Sequence, residues 1–272
     1  MTTLSPAARP ASRTVGELLR DWRQRRRLSQ MELALDAEIS TRHLSFVETG
    51  RAAPSREMVL HLAESLDIPL RDRNLLLVAA GFAPVFPERR LDDPGLEAAR
   101  RAVDLVLAGH EPYPAVALDR HWTIVAHNRA IAPFLEGCAP ELLAPPINMV
   151  RLSLHPQGIA PRIENLGEVR AHVLARLRRQ IELTADLVLA ALLAEASAWP
   201  VPFSQPHPRK GQEAAELFIP VRLRTSAGLL TLISATTVFG TPVDVTLAEL
   251  AIETFLPADA ETADRLRAMA AD

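Results

Sequence analysis

The chain has 272 residues, 48% hydrophobic and 23% charged, a balance that suits a soluble protein of two domains with sizeable cores and excludes disorder over most of its length. Its net charge of −3 is unevenly shared: residues 1–90 hold 14 Arg against 11 Asp or Glu, and residues 91–272 hold 16 basic against 22 acidic side chains, so local phosphate contact by the first part is compatible with the charge and bulk nucleic-acid affinity is not. One cysteine, Cys138, excludes a disulfide framework and a thiolate metal cluster and makes a reducing cytoplasm the expected compartment.

Residues 1–13, rich in Thr, Ser, Pro and Ala, read as a disordered arm without the apolar core of a signal peptide. Arg9 and Arg13 either touch DNA from it or are simply solvated. A first helix is expected over 15–27, with Thr14 as cap and Leu18, Leu19 and Trp22 inside; its basic end, Arg25-Arg26-Arg27, either faces phosphate or answers the helix dipole.

Two short helices follow. Ser29 and Glu32 form a capping box ahead of Leu33 and Ala34, and Ser40 caps a second start from which Leu44 and Val47 point inward. Two starts so close together give a helix-turn-helix, and the outward residues Ser40, Thr41, Arg42, Ser45 and Phe46 make its reading face. A fourth helix is expected from Pro54-Ser55 to Leu66, and a fifth over 70–80, closed by Gly81 and apolar nearly all round through Leu75, Leu76, Leu77 and Val78. That excess fits a dimer interface or a contact with the second domain.

Residues 83–94, with Pro84 and Pro87, read as a semi-rigid linker. The second domain, 95–272, opens with a helix over 95–108, then a hairpin of 113–119 and 122–127, and a helix from Asn128 over 129–135. A long amphipathic helix spans 168–183 with Val169, Val173, Leu177 and Ile181 on one face, and Asp186 caps another that ends near Trp199-Pro200. Residues 216–225 and 229–239 make the firmest hairpin, around Ser226-Ala227-Gly228. Residues 249–256 are a strand or a helix, and Asp259 caps a final helix. The layout predicts an α+β sheet covered on one face.

Over residues 14–81 the chain resembles the XRE/Cro type of DNA-binding domain, through Leu28-Ser29-Gln30, Leu33-Ala34, Ile39-Ser40, Leu44, Glu48-Thr49-Gly50-Arg51, Pro54-Ser55 and Leu62-Ala63. The resemblance implies that Thr41, Arg42 and Phe46 meet base edges, that Gln30, Arg51 and Ser55 meet the backbone, and that Arg23 pairs with Glu48. Relatives usually have Gly where this chain has Glu38, because the turn favours a left-handed residue. Phe46 stands where a polar reader is common; it meets a thymine methyl or is a half-buried aromatic at a helix end.

Trp122-Thr123-Ile124-Val125-Ala126-His127-Asn128-Arg129-Ala130, Leu154-His155-Pro156-Gln157-Gly158, Arg178-Arg179-Gln180 and Phe239-Gly240-Thr241-Pro242-Val243-Asp244-Val245-Thr246 resemble the C-terminal domain of MmyB-like transcription regulators. That domain is PAS-like and regarded as ligand-binding. A small apolar ligand, such as a fatty acid or other acyl compound held non-covalently, is therefore expected, with Tyr113, Trp122, Asn128, Arg129 and Arg151 as candidate contacts. Surface or core duty is the other reading for each of these five.

The eight histidines include no HxxxH or HExxH spacing, so no metal is expected, and no nucleophile elbow, phosphate loop or Rossmann fingerprint is present. An enzyme is disfavoured. The expected protein is a cytoplasmic, non-membrane, homodimeric regulator of double-stranded DNA with two domains, an all-α five-helix helix-turn-helix domain and a PAS-like α+β domain. The alternative is a second domain that only dimerises or binds a protein partner.

Overall fold

A computed structural model describes residues 13–200, 219–240 and 242–270. The expected arm, Arg13 excepted, lies outside the described residues, as do 216–218 of the expected hairpin. The chain divides into two compact units, Met1–Glu88 with Val243–Val245 and Arg89–Pro242 with Thr246–Asp272.

The first unit contains α1 (Val15–Arg25), α2 (Gln30–Asp36), α3 (Thr41–Glu48), α4 (Arg56–Ser65) and α5 (Leu70–Ala79). Local chemistry sets these starts. Thr14 with Glu17 and Ser29 with Glu32 close capping boxes, while Ser40 and Ser55 accept from the backbone N–H groups of His43 and Met58. Leu19, Leu33, Leu44, Leu62, Ile68 and Leu77 are fully buried and form the centre of the core.

Three close approaches complete the unit. A Cβ on Gly16 would stand 2.4 Å from the Val47 carbonyl oxygen, so α1 crosses α3 where only glycine fits. Glu38 holds the turn before α3 with φ 51°, the left-handed conformation for which relatives use Gly, at a cost of about 1 kcal/mol. Arg26 donates to the carbonyl oxygens of Leu66 and Asp67, so one member of the basic run closes the end of α4.

The stretch after α5 is not a free spacer along its whole length. Asn74 accepts from the N–H groups of Val85 and Phe86 and donates to the Phe86 carbonyl, which fastens these two residues to α5.

In the second unit a 3-10 turn at Pro94–Leu96 leads into α6 (Glu97–Gly109), β1 (Ala115–Leu118) and β2 (Ile124–His127). After them come α7 (Ala132–Leu135), α8 (Pro140–Leu143), α9 (Met149–Leu154), α10 (Leu166–Thr184) and α11 (Leu187–Ala198). Then follow β3 (Val221–Thr225), β4 (Gly228–Val238), α12 (Val245–Ala248), β5 (Ala251–Pro257) and α13 (Ala260–Met269). The sheet order is β2-β1-β5-β4-β3 with every pairing antiparallel, an α+β architecture as expected. Residues 251–257 are a strand because they pair on both sides, with β1 and with β4.

Alternation along the strands sorts the two faces. Val116, Leu118, Leu223, Leu230 and Leu232 join the larger core with α9, α10 and α11. On the opposite face Ala115, Ala117 and Ile252 pack against Val103 and Leu107 of α6. The expectation of one covered face is thus corrected: α6 covers the second face over β1 and β5, because its amphipathic stripe needs an apolar partner. Toward β3 that face carries exposed Arg222 and Arg224.

Candidate functional site

The residues expected to form a reading face on α3 follow a capped start. Ser40 spends its hydroxyl on the His43 N–H at 3.1 Å. Thr41, Arg42 and Arg51 are exposed, and Ser45 and Phe46 half-buried. The guanidinium groups of Arg42 and Arg51 lie 5.3 and 6.0 Å from the Phe46 ring centre, within cation–π range. The aromatic ring thus gathers two cations on one patch.

Behind this face lies the ion pair. Arg23 Nε and Nη2 donate to Glu48 Oε1 and Oε2 at 2.7 and 2.9 Å, and its Nη1 donates to the Leu28 carbonyl at 2.8 Å. The hydrogen bond to Glu48 raises the Arg23 pKa against the opposing effect of burial. Gln30 joins the pair, its amide donating to Glu48 Oε2 at 2.8 Å. Its side chain therefore has a structural partner in addition to the phosphate expected from the resemblance. Ser55 caps α4 through the Met58 N–H at 3.2 Å.

The second site lies between the sheet and the helices. A cavity of about 90 Å³ is lined by Trp122, Phe134, Val150, Ile163, Val169 and Phe255, among others, with Arg176 and Glu253 as its charged members and His172 at its rim. Period two explains the sheet's share: Glu253 and Phe255 on β5 and Ser234 on β4 point to one face. Trp122 enters because the β1–β2 turn places it at φ 66°; Asp119 holds that turn by accepting from the N–H groups of His121 and Thr123 at 2.8 Å each.

Trp122 is fixed at both ends, its Nε1 donating to Gln180 Oε1 at 2.9 Å and its ring lying 4.6 Å from the Arg176 guanidinium. Arg176 donates to Glu253 Oε1 at 3.1 Å and to Thr236 Oγ1 at 3.3 Å. The Glu253 side chain is 7% exposed, and its Oε2 has no hydrogen-bond partner among the described residues.

Of the five expected ligand contacts, Trp122 lines this cavity and the other four do not. Asn128 is buried, but its amide accepts from Ala115 N–H and donates to the carbonyls of Leu107 and Tyr113 at 3.1, 3.1 and 2.7 Å, so it is committed to joining α6 to the sheet. The Arg129 side chain is 91% exposed and pairs with Glu111 at 2.7 Å. Arg151 forms a bidentate pair with Glu195, which raises the arginine pKa and lowers that of the acid. Tyr113 packs on the larger core and edge-on to His110, 5.9 Å between ring centres, without reaching the cavity.

Arg176 and Glu253 escaped the sequence reading, although one signal was present. An acid within the mostly apolar stretch Leu250-Ala251-Ile252-Glu253-Thr254-Phe255-Leu256 marks a polar group held in a core. Among the described residues no group of three or more His, Cys, Asp or Glu is placed to hold a metal, and no helix is long and apolar enough to cross a membrane.

Comparison with protein families gives two matches. Residues 14–76 match the helix-turn-helix domain, and residues 99–269 match the MmyB-like transcription regulator ligand binding domain. A comparison with curated proteins gives no match. Among solved structures, an RNA-binding light-oxygen-voltage receptor is similar at 14% identity over 96% of this chain, with a TM-score of 0.26. The present chain spans 65% of that receptor's length, and a likeness this slight bears on neither fold nor function.

Proposed function

From the premise that this chain belongs to the MmyB-like transcription regulators, we propose that it is a one-component sensor: a homodimer that reads a pseudo-palindromic operator through α3 and holds a small apolar ligand in its second domain. Arg42 and Thr41 would read base edges in the major groove, Arg51 and the first turns of α2 and α4 would hold phosphates, and half-sites would lie about one helical turn, roughly 34 Å, apart. Ligand binding would shift the balance between two arrangements of the protein by favouring one of them.

The observation that carries the ligand reading is the cavity itself, apolar, walled by sheet and helices, with charged groups at one place only. It weighs against the alternative of a second domain filled by its own side chains. An acyl compound such as a fatty acid is the ligand that the family resemblance suggests. At about 90 Å³ the space is smaller than the roughly 150 Å³ that admits benzene in an engineered core, so a long acyl chain enters only if α9 or α10 moves outward.

Native mass spectrometry of the purified chain, before and after denaturing extraction, tests the reading. A co-purifying small mass lost on extraction is the expected result. A clean protein mass that also takes up no apolar compound on incubation would contradict it.

A further inference from the structure

We infer that α6 pairs antiparallel with α6 of a second copy of this chain, through the face it turns away from the sheet. This rests on the homodimer of the proposed function and gives that dimer an interface. Successive residues of a helix turn by about 100°, so α6 presents two apolar stripes on opposite sides. One, Val103 with Leu107, is buried against Ala115, Ala117 and Ile252 of the sheet. The other, Ala98, Ala102, Leu105 and Val106, is exposed, Leu105 by 73% and Val106 by 45%. A helix apolar on both sides needs a partner on both.

Charge identifies that partner. Arg101 and Asp104 are exposed and lie along one edge of the bare stripe. Arg101 reaches Glu97 one turn away at 2.9 Å, with both side chains more than half exposed, and Asp104 makes no ion pair among the described residues. A twofold axis that sets the stripes antiparallel carries residue i of one copy to residue j of the other, and j to i. With Ala102 against the second copy's Leu105, small faces large. Arg101 then stands within two residues, roughly 3 Å of helical rise, of the level of the second copy's Asp104, on the same edge of the interface. The same contact recurs across the axis. A parallel pairing would leave the two charges on opposite edges.

Sedimentation velocity of the full chain over a dilution series tests this. Wild type is expected to dimerise. Leu105→Arg puts a charge at the centre of the contact; because the side chain is exposed within one chain, the melting temperature is expected to hold while the dimer is lost. Arg101→Glu and Asp104→Arg each turn two attractions into two repulsions, and each is expected to weaken the dimer at least roughly tenfold. In an equimolar mixture of these two variants, one contact joins the two introduced charges and the other joins the two native ones, both of opposite sign. The mixture is therefore expected to dimerise as wild type does.

A dimer that survives Leu105→Arg, a charge variant that dimerises as wild type does, or a mixture no tighter than its components overturns the inference and leaves the homodimer reading standing. A wild-type chain that stays monomeric at every concentration overturns both.

Discussion

Arg23 and Glu48, 25 residues apart in the chain, meet through two parallel hydrogen bonds with side chains only 9% and 1% exposed. The pair joins α1 to the last turn of the reading helix, so the orientation of α3 depends on a contact outside the helix-turn-helix itself. Arg23→Ala leaves Glu48 buried with one amide donor, that of Gln30, in place of a guanidinium. A loss of about 3–5 kcal/mol from the first domain is expected, read as an earlier unfolding transition in a denaturant titration. An unchanged transition and unchanged DNA affinity would show that the pair orients nothing.

The Phe46 ring holds two arginines, and that geometry separates two roles for it. If Phe46 acts by gathering Arg42 and Arg51, Phe46→Leu weakens binding to operator and to random DNA alike, by about 0.5–1 kcal/mol. If it reads a thymine methyl, only operator binding falls. Fluorescence anisotropy with the two duplexes distinguishes these, and parallel loss is expected. Arg42→Ala, by contrast, is expected to cost about 1–3 kcal/mol on operator and less on random sequence.

How far the sequence alone reached follows from the range over which each feature is determined. The caps at Thr14, Ser29, Ser40 and Ser55 depend on neighbours three positions away, and all four are present. The Arg23–Glu48 pair came from the resemblance. The polar groups of the cavity did not, because Arg176 and Glu253 are 77 positions apart on a helix and a strand, and the Ala and Leu content of that strand also allows a helix. Asn128, Arg129 and Arg151 have the chemistry for ligand contact, but the fold gives each a partner elsewhere.

Acid should weaken the first domain through its capping boxes. Glu17 and Glu32 have pKa values lowered from the usual 4.5, first by the backbone N–H of Thr14 and of Ser29 and then by those residues' hydroxyls. Depressed carboxylates contribute stability that is fully present above the unfolded value near 4.5 and is lost as pH falls through the lower folded values. Glutamine still closes a capping box but does not titrate. The double variant Glu17→Gln with Glu32→Gln is therefore expected to show a shallower acid limb in melting temperature against pH below that value. An identical limb would place the acid sensitivity elsewhere.

Filling the cavity should separate ligand binding from folding. Val173 is half-buried on α10 and lines the space, so Val173→Phe is expected to abolish uptake of apolar compounds at a cost of about 1–3 kcal/mol from overpacking. Calorimetric titration and a thermal melt read the two effects. Undiminished uptake would place the ligand outside this cavity.

The central claim is that occupancy of the second domain changes operator binding by the first. Its most direct measurement is the operator dissociation constant of the full chain, with the operator selected from a random-sequence pool, for protein as purified and after denaturing extraction, refolding and re-addition of the extract. Coupling of about 1–3 kcal/mol, a change of roughly 5–150-fold that re-addition reverses, is predicted. An operator affinity identical in all three states would contradict it.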